Sequence, residues 1–271
     1  MKKIGIDELK KLQLEILEKV HNFCIHNHID YTLSSGTLIG AIRHKGYIPW
    51  DDDIDIEMTR PNYNKFIKAF NGTYKELEVL CPELDWVYYA PYANVYDKRT
   101  ILTEGDNSHN GRKVGVKIDI FPIDGLPADE NKCKSVFEKV HRYNTYMMYK
   151  RYPLSYFYKG NIIKKAIRSS VWYLLHLVQY SFLQKRLHKI AIFYDYEKSE
   201  NAGPILFMSN NKCSISRSIF CKYQETSFEG KKFQIIQDYD IYLKALYGNY
   251  MQLPPKEHRI PHHNFEAYWI D

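Results

Sequence analysis

The densest group of potentially catalytic side chains lies in residues 50–56, Trp-Asp-Asp-Asp-Ile-Asp-Ile. Four carboxylates within five residues repel one another and would destabilise a fold unless a cation neutralises them. On a strand, side chains alternate between the two faces, so Asp51, Asp53 and Asp55 would share one face while Ile54 lies on the other. Oxygen ligands without Cys or His favour Mg²⁺ or Mn²⁺, ions that commonly bridge carboxylates and substrate phosphates.

Two other interpretations of this segment are weaker. A solvated acidic turn would not need the apolar Ile54 between the acids. A calcium-binding EF-hand loop also begins with alternating Asp, but it needs Gly at its sixth position and Glu at its twelfth, where this chain has Ile56 and Asn62. We therefore expect a site for Mg²⁺ or Mn²⁺.

A further acid, Asp119, lies in a second predicted strand. Val116, Ile118 and Ile120 alternate along it, so Asp119 is on the face opposite these apolar side chains. Taken alone, Asp119 is equally compatible with a structural cap or a surface position. Beside the Asp cluster it becomes a candidate metal ligand, or the base that accepts a hydroxyl proton.

A Ser-Ser-Gly-Thr turn at residues 34–37 precedes a short predicted helix over 38–42. Backbone N–H groups in such a turn can bind phosphate, which makes Ser35, Gly36 and Thr37 candidate substrate contacts. Three side chains with nitrogen donors follow between the turn and the acids: Arg43, His44 and Lys45. A metal-held pyrophosphate would need positive charge here, although each residue alone also suits a solvated basic loop.

The elements that would position these residues form a small mixed sheet covered by helices. Apolar residues at helical spacing predict further helices at three places: 7–27, from Pro61 onward, and a short one at 239–246. Alternating and β-branched runs predict strands at five places: 29–34, 53–58, 86–103, 114–120, and a hairpin at 228–233. Residues 126–200 are predicted to be almost entirely helical. The expected fold class is therefore α+β with an added helical subdomain.

Composition narrows the functional classes. The 271 residues, 45% hydrophobic and 26% charged, are typical of a globular protein. A net charge of +6 permits phosphate or membrane-surface partners, but the densest charge cluster is acidic and no nucleic-acid-binding motif accompanies a basic helix, so we expect no nucleic-acid partner. Five cysteines without a C-x-x-C pair argue against a disulfide framework. The N-terminal residues lack the apolar run of a signal peptide, and a cytoplasmic location is expected.

One apolar segment, residues 171–183, is 13 residues long and lies between Lys164–Lys165 and Lys185–Arg186. It is shorter than the ~20 residues that cross a membrane. Two interpretations stay open. The segment is either a buried helix of the subdomain, or an interfacial helix that brings residues 164–189 against the inner face of the cytoplasmic membrane.

Residues 33–55, Leu-Ser-Ser-Gly-Thr-Leu-Ile-Gly-Ala-Ile-Arg-His-Lys-Gly-Tyr-Ile-Pro-Trp-Asp-Asp-Asp-Ile-Asp, resemble the signature of the LicD family. That family comprises phosphocholine transferases of bacterial surface glycans and is related to the fukutin-type phosphoribitol transferases. The similarity continues in residues 118–125, Ile-Asp-Ile-Phe-Pro-Ile-Asp-Gly, and in 247–255, Tyr-Gly-Asn-Tyr-Met-Gln-Leu-Pro-Pro. The similar segments lie toward both ends of the chain, and none of them lies in the predicted middle helices.

The resemblance implies a single catalytic domain, with a nucleotidyltransferase-like core over 1–125 and 205–271 and a helical insertion over 126–204. It also implies the roles of the acids: metal binding by Asp53 and Asp55, Asp119 as the third acid, and Asp51 as an additional member. The chain departs from the family at Ser35, where a glycine is usual. If that position has a positive φ, Ser35 is strained and the phosphate turn is shaped differently.

The resemblance further implies the reaction: phosphocholine passes from CDP-choline to a hydroxyl of a cell-surface glycan of the teichoic acid or lipopolysaccharide type, and CMP is released. Three C-terminal residues that match the family are expected to contact phosphate or nucleotide: Arg259, His262 and His263. A partial zinc site with Cys213 or Cys221 is an open alternative. Two other reactions stay open: transfer of another CDP-linked phospho-alcohol (ribitol or glycerol phosphate), and nucleotidyl transfer from a triphosphate.

Choline recognition would require aromatic faces, because a quaternary ammonium has no hydrogen-bond donor. Five aromatic residues between the Asp cluster and Asp119 are candidates for this wall: Trp86, Tyr88, Tyr89, Tyr92 and Tyr96. Singly, each is more typical of core or sheet packing.

Overall fold

The computed structural model describes residues 1–104, 114–157, 161–207, 213–260 and 265–270. The α-helices in these ranges are α1 (Ile6–His26), α2 (Ser35–Arg43), α3 (Arg60–Ala69), α4 (Glu130–Arg151), α5 (Ile162–His176), α6 (Tyr180–Ala191) and α7 (Tyr239–Tyr247). The strands are β1 (Lys3–Ile4), β2 (Thr32–Leu33), β3 (Asp55–Thr59), β4 (Leu77–Leu80), β5 (Ala93–Asp97), β6 (Thr100–Glu104), β7 (Lys117–Leu126), β8 (Asn201–Gly203), β9 (Ile215–Ser216), β10 (Tyr223–Phe228), β11 (Lys231–Ile236) and β12 (Phe265–Trp269).

A mixed sheet forms the centre of the molecule, with the strand order β2-β3-β7-β5-β4. Strands β3 and β7 are parallel, whereas the other neighbours in this order are antiparallel. The second half of β7 pairs with β8, which in turn pairs with β9. Strands β10 and β11 form a hairpin, and β1, β12 and β6 form a small separate sheet. The predicted α+β fold class is confirmed.

Helix α1 packs on strands β5 and β7 of this sheet. Its apolar stripe, including Leu9, Ile16, Val20 and Phe23, is buried. Full burial of a side chain of this size contributes about 1.5–3 kcal/mol, so the stripe is enough to fix the helix against the sheet. The predicted helix over 7–27 is confirmed to within one residue at each end.

Helices α4, α5 and α6 lie between β7 and β8 along the chain, as predicted for residues 126–200. Helices α4 and α6, together with Leu126 of β7, carry a second apolar cluster, whose members include Val140, Leu183 and Leu187. Strand β8 already pairs with the sheet, so the chain returns to the core at residue 201. The division into core and insertion stays a prediction. None of the helices within the described ranges combines the length and the apolar character needed to cross a membrane.

A buried ion-pair network ties the sheet to the helices. The guanidinium of Arg60, at the start of α3, donates to both carboxylate oxygens of Asp124 on β7 at 2.6 and 2.8 Å, and to Glu83 at 3.1 Å. His188 of α6 lies 3.2 Å from the same Glu83 carboxylate. The paired geometry compensates the desolvation of these charges.

Several predicted boundaries are wrong. The strand predicted over 29–34 is limited to Thr32–Leu33, and the strand predicted over 114–120 runs over Lys117–Leu126. The helix predicted from residue 38 begins at Ser35, so the Ser-Gly-Thr segment is its first turn. The strand predicted from residue 53 begins at Asp55, because the preceding chain is still turning, with the Asp51 N–H donating to the Ile48 carbonyl at 2.9 Å. The apolar run 171–183 is not one helix.

That run is interrupted after His176, where α5 ends and residues 177–179 turn into α6. The ammonium of Lys150 donates to the carbonyls of Leu175 and Val178 at 3.0 and 2.5 Å. It thereby links the end of α4 to the last turn of α5 and to the residues that follow it. Strand β4 was not predicted at all, since its four residues carry little pattern of their own.

Candidate active site

The central feature of the site is a row of three polar side chains across three neighbouring strands. Asp55 of β3 is the register partner of Asp119 on β7, and Asp119 is the register partner of Asn94 on β5. Residues directly opposite one another in a sheet point to the same face. The predicted meeting of Asp119 with the Asp cluster therefore follows from the pairing of β3 with β7.

The Asp119 carboxylate is held by two donors. The Lys117 ammonium lies 2.5 Å from Asp119 Oδ1, and the Asn94 amide donates to the same oxygen. Asn94 is fixed in turn by the buried Tyr88 hydroxyl, which donates to its amide oxygen. Although burial alone would lower it, the Asp119 carboxylate raises the pKa of Lys117 well above its usual value, so the side chain stays an ammonium.

The acids that precede β3 form a tight group. One carboxylate oxygen from each of Asp51, Asp52 and Asp53 lies within 4.8 Å of the other two. The prediction that Asp51, Asp53 and Asp55 alternate along one strand is wrong in detail, because Asp51 and Asp53 belong to the loop before β3. Ile54 is nevertheless buried as expected, and a hydrogen bond of 3.0 Å from the Gln13 amide to the Asp52 carbonyl ties this loop to α1.

The carboxylates act on one another electrostatically. Burial, followed by the charges of Asp53, Asp119 and Asp51, raises the pKa of Asp55 well above its usual value. A divalent cation would relieve this repulsion, and an oxygen-only donor set suits Mg²⁺ or Mn²⁺. The four predicted carboxylates all line one cleft, so the residues present fit a metal ion.

The predicted phosphate turn approaches the acids closely. Ser35 has a φ of +47°, a left-handed conformation that favours glycine, so the strain expected at this departure from the family is confirmed. A Cβ on Gly36 would lie 2.3 Å from Asp51 Oδ2, and only glycine leaves that carboxylate in place. The Thr37 hydroxyl accepts a hydrogen bond of 2.9 Å from the Asp55 N–H. The turn thus positions two of the predicted metal ligands.

A buried carboxylate, Glu57, supports this arrangement from beneath. The Ser34 hydroxyl donates to it at 2.7 Å, and the Tyr242 hydroxyl of α7 lies 2.7 Å from both of its carboxylate oxygens. Burial raises the pKa of Glu57 to about 7, while the hydrogen bonds from Tyr242 and Ser34 lower it. Glu57 was not predicted as part of the site, although it continues the alternation of Asp53 and Asp55.

Two cavities open at the acids. The smaller one has a volume of about 220 Å³ and the larger one, an open cleft, about 850 Å³. Asp53, Asp119 and Tyr92 line both of them. A substrate that occupied both cavities would therefore cross the acids at the point where they join.

The smaller cavity is lined by two cations. Lys117 faces it from β7, and Arg151 reaches it from the end of α4. The Arg151 guanidinium lies over the rings of Tyr89 and Tyr152, 4.8 and 5.9 Å from their centroids. Its Nε is buried and has no hydrogen-bond partner among the described atoms. Two cationic side chains at the wall of one cavity are suited to an anion such as phosphate.

The larger cleft is lined mostly by aromatic and apolar side chains, among them Trp50, Phe121, Phe207, Tyr247 and Tyr250. The Phe121 and Phe207 rings are stacked, 4.3 Å apart between centroids, and Tyr92 packs edge-on against Phe121 at 4.4 Å. Flat ring faces of this kind can bind a nucleobase or a quaternary ammonium.

Of the three predicted basic residues, only Arg43 lines one of the two cavities. Arg43 lines the larger cleft, but it donates to the carbonyls of Tyr250 and Gln252 at 2.6 and 3.4 Å and so holds the C-terminal loop that forms one wall. The His44 ring is within hydrogen-bond distance of the Arg43 guanidinium. Lys45 has a φ of +63°, and its carbonyl accepts a hydrogen bond from the Glu229 N–H in the β10–β11 hairpin. Neither residue lines the two cavities.

Of the three C-terminal residues predicted to contact phosphate or nucleotide, the described residues include only Arg259. The Arg259 guanidinium lies 5.5 Å from the centre of the Trp50 ring, which faces the cleft, and its Nε donates to the Pro254 carbonyl at 2.9 Å. His262 and His263 lie outside the described residues. Among those that are described, no cluster of Cys or His forms a metal site, and Cys213 is buried in the second apolar cluster.

Two of the five predicted aromatic candidates reach the cavities: Tyr89 and Tyr92. Tyr88 is buried beneath them, and the Tyr96 hydroxyl donates to Glu78 at 2.8 Å. Trp86 packs edge-on against His188. Sequence analysis did not identify Lys117 or Arg151, because no local pattern distinguishes one basic residue among 38.

A comparison with known protein families identifies the class to which this chain belongs. A sequence model of the family described as "LicD/FKTN/FKRP, nucleotidyltransferase domain" matches residues 28–157. This stretch includes β3, β7 and the four predicted acids. The mixed sheet and the acidic row are thus those of a nucleotidyltransferase domain.

The similarity to one relative extends over the whole chain. The sequence is 35% identical over 274 aligned positions, covering 99% of each chain, to the lipopolysaccharide cholinephosphotransferase LicD of Haemophilus influenzae. Two uncharacterised proteins of Rickettsia typhi and Rickettsia prowazekii are each 46% identical over 57 residues, or 21% of this chain and 18% and 21% of theirs. The chain belongs to the LicD family, and it is a transferase.

Proposed function

We propose that this enzyme transfers phosphocholine from CDP-choline to a hydroxyl of a lipopolysaccharide or teichoic acid glycan and releases CMP. One observation carries the proposal: the acids Asp53 and Asp119 lie where a cationic cavity meets an aromatic cleft. A CDP-alcohol has a matching chemistry, with a pyrophosphate between a nucleoside and a small alcohol. The similarity over the full chain to a lipopolysaccharide cholinephosphotransferase supports the glycan acceptor.

The chain's own cations are proposed to bind the pyrophosphate. Arg151 and Lys117 both line the smaller cavity, and the Lys117 ammonium lies beside Asp119. Charge-assisted hydrogen bonds to phosphate contribute about 1.5–3 kcal/mol each. Arg151 and Lys117 would thus orient the donor and neutralise charge on the transferring phosphoryl group.

Mg²⁺ or Mn²⁺ is the proposed cofactor, with Asp51, Asp53, Asp55 and Asp119 as the residues that would hold it. When bound, such an ion would stabilise negative charge on the phosphate oxygens. The first turn of α2 serves the same site, because Gly36 leaves room for Asp51 and Thr37 fixes the backbone of Asp55.

The proposed transfer conserves every atom. The acceptor oxygen bonds to the phosphorus that carries choline, the bond from that phosphorus to the bridging oxygen of CMP breaks, and a carboxylate takes the hydroxyl proton. Asp119 is the proposed base, because it lies at the junction of the cavities and Lys117 and Asn94 hold it in position. The aromatic faces of Tyr89 and Tyr92 are the proposed contacts of the choline group.

The direct test is CMP release by the purified enzyme from CDP-choline with Mg²⁺ and a lipopolysaccharide acceptor that lacks phosphocholine. We expect release that depends on the acceptor, stops with EDTA and returns with Mg²⁺ or Mn²⁺. Release that persists in EDTA would contradict the metal assignment. Absence of release with every acceptor would contradict the proposed reaction.

A further inference from the structure

We propose that helix α5 is a membrane-docking element that binds the surface of an anionic bilayer. The proposal rests on the shape and charge of the helical insertion and not on the donor chemistry. It therefore goes beyond the proposed function, and binding to vesicles tests it independently of the transfer reaction.

The first observation is an apolar face on α5 that no part of the described chain covers. None of the residues in α5 is buried. With ~100° between successive residues, eight positions from 162 to 177 fall within one broad side of the helix. Five of them are large apolar residues that are 58–83% exposed: Ile162, Ile163, Ile167, Leu174 and Leu177. Tyr173, 61% exposed, lies on the same side.

The opposite side of α5 already has its packing partners. The Trp172 indole donates to the Tyr152 carbonyl at 3.0 Å, and the Lys150 ammonium caps the last turn. The helix is thus held to α4 by one side while its other apolar side is turned outward. A surface helix of a soluble protein normally exposes polar residues there, and a contiguous apolar patch marks an interaction surface.

The second observation identifies the partner by charge. Residues 139–194 contain eleven Lys and Arg and no Asp or Glu, although the whole chain has a net charge of only +6. Within α5, Lys164 and Lys165 fall outside the apolar face, one beyond each edge of it. Apolar side chains flanked by basic ones are what an interfacial helix requires to insert between anionic headgroups.

A second copy of the chain fits this surface poorly. Two insertions placed face to face would bring together two segments that each carry eleven positive charges and no negative ones. A spanning segment is also excluded, because α5 has 15 residues, fewer than the ~20 that cross a bilayer. A bilayer surface accepts the apolar face and the positive charge together.

Docking would bring the catalytic site close to the membrane along a short path. Tyr152, whose carbonyl receives the Trp172 hydrogen bond, lines the smaller cavity next to Arg151. A glycan anchored by lipid in the bilayer would then be presented near the acids. This consequence needs the proposed function, but the binding of the helix to lipid does not.

The test is co-sedimentation of the full chain with vesicles of phosphatidylcholine alone or mixed with phosphatidylglycerol. We expect binding to the anionic vesicles at low salt, at least tenfold tighter than to the neutral ones and weakened by added salt. Ile167→Ser with Leu174→Ser should lower the affinity at least tenfold, and Lys164→Gln with Lys165→Gln by roughly tenfold or more.

Matched controls separate docking from loss of fold or of bulk charge. Ile241→Ser changes a 57% exposed apolar residue of α7, and Lys65→Gln with Lys68→Gln removes two exposed charges from α3. We expect both controls to bind like the wild type. Absence of binding at low salt, or equal loss in the controls, overturns the proposal. So does a lipid-free dimer that the two serine substitutions dissociate, because the occupant is then a second copy.

Discussion

Asp55 and Asp119 are direct register partners on the two parallel strands at the centre of the sheet. They are 64 residues apart in the sequence, and β-strand pairing alone brings them side by side on one face. The repulsion between the buried Asp55 carboxylate and the partly buried Asp119 carboxylate is part of what raises the pKa of Asp55. A fold that keeps such a pair is one that gains stability when a cation binds.

The first prediction follows from that repulsion. Asp53→Asn or Asp55→Asn should abolish CMP release, because each removes a proposed metal ligand. Each should also leave the metal-free protein as stable as the wild type or more so, because it removes one of the charges that repel each other. Thermal unfolding with and without Mg²⁺ checks this, and the variants should lose the stabilisation by Mg²⁺.

Asp30→Asn, at an exposed position outside the site, is the matched control and should behave like the wild type. An Asp55→Asn variant that unfolds in the absence of metal would contradict the assignment. Near wild-type turnover would contradict it equally.

The second prediction concerns Arg151, whose guanidinium lines the smaller cavity with its Nε unpaired among the described atoms. Arg151→Gln should raise the KM for CDP-choline by about tenfold or more, since a charge-assisted hydrogen bond to phosphate contributes about 1.5–3 kcal/mol. Steady-state kinetics measure the change. Arg142→Gln, at an exposed position of the same helix, should leave KM unaltered. Equal KM values for the two variants would rule out a phosphate contact at Arg151.

The third prediction concerns choline. Tyr92 lines both cavities, so Tyr92→Ala should raise the KM for CDP-choline by about two- to thirtyfold, in line with the loss of a cation–π contact of about 0.5–2 kcal/mol. The affinity for CMP, which lacks choline, should change much less. Tyr96→Ala is the control, because that side chain contacts Glu78 away from the cavities. A parallel loss of CMP affinity in Tyr92→Ala would place Tyr92 at the nucleotide and not at the choline.

The fourth prediction is a pH dependence of stability that originates at Glu57. Its pKa in the folded chain, about 7, lies above the ordinary value of 4.5, so the folded state holds a proton that the unfolded state has released between these values. The contribution of Glu57 to the free energy of unfolding should therefore be largest below about pH 4.5 and fall by up to about 3 kcal/mol as the pH rises through 7.

Glu57→Gln should remove this contribution, because the amide cannot ionise, while the contribution of Asp55, whose pKa is also raised, should stay. Urea unfolding at a series of pH values gives the comparison, with Glu138→Gln at an exposed position as control. A variant whose stability falls with pH as steeply as that of the wild type would show that another group is responsible.

Local patterns were enough for the helices, for four strands of the central sheet and for the identity of the acids, but not for β4. The stripe of α1 and the hairpin at 228–233 repeat at helical and strand spacing, and the turn at Glu229 and Gly230 has the positive φ values that such hairpins need. The strain at Ser35 could also be foreseen, since it depends on one substitution in a known motif.

Long-range packing could not be predicted in the same way. Lys117 and Arg151 become site residues only because α4 and β7 meet at one cavity, and neither has a distinguishing local sequence. The loop geometry of Asp51 and Asp53 was misjudged because alternation is equally compatible with a strand and with the turn that precedes it. Which side of α5 is exposed could likewise not be predicted from the sequence, because it depends on which side packs against α4.

The measurement that tests the central claim most directly compares the nucleotide substrates that could donate the transferred group. The purified enzyme, with Mg²⁺ and a lipopolysaccharide acceptor that lacks phosphocholine, is given CDP-choline, CDP-ribitol, CDP-glycerol or CTP in parallel. Released nucleotide and the mass of the acceptor are then determined. We expect CMP release chiefly from CDP-choline, with an acceptor heavier by one phosphocholine. Equal turnover of CDP-ribitol or CDP-glycerol would contradict choline specificity, and release of pyrophosphate from CTP would contradict phosphocholine transfer itself.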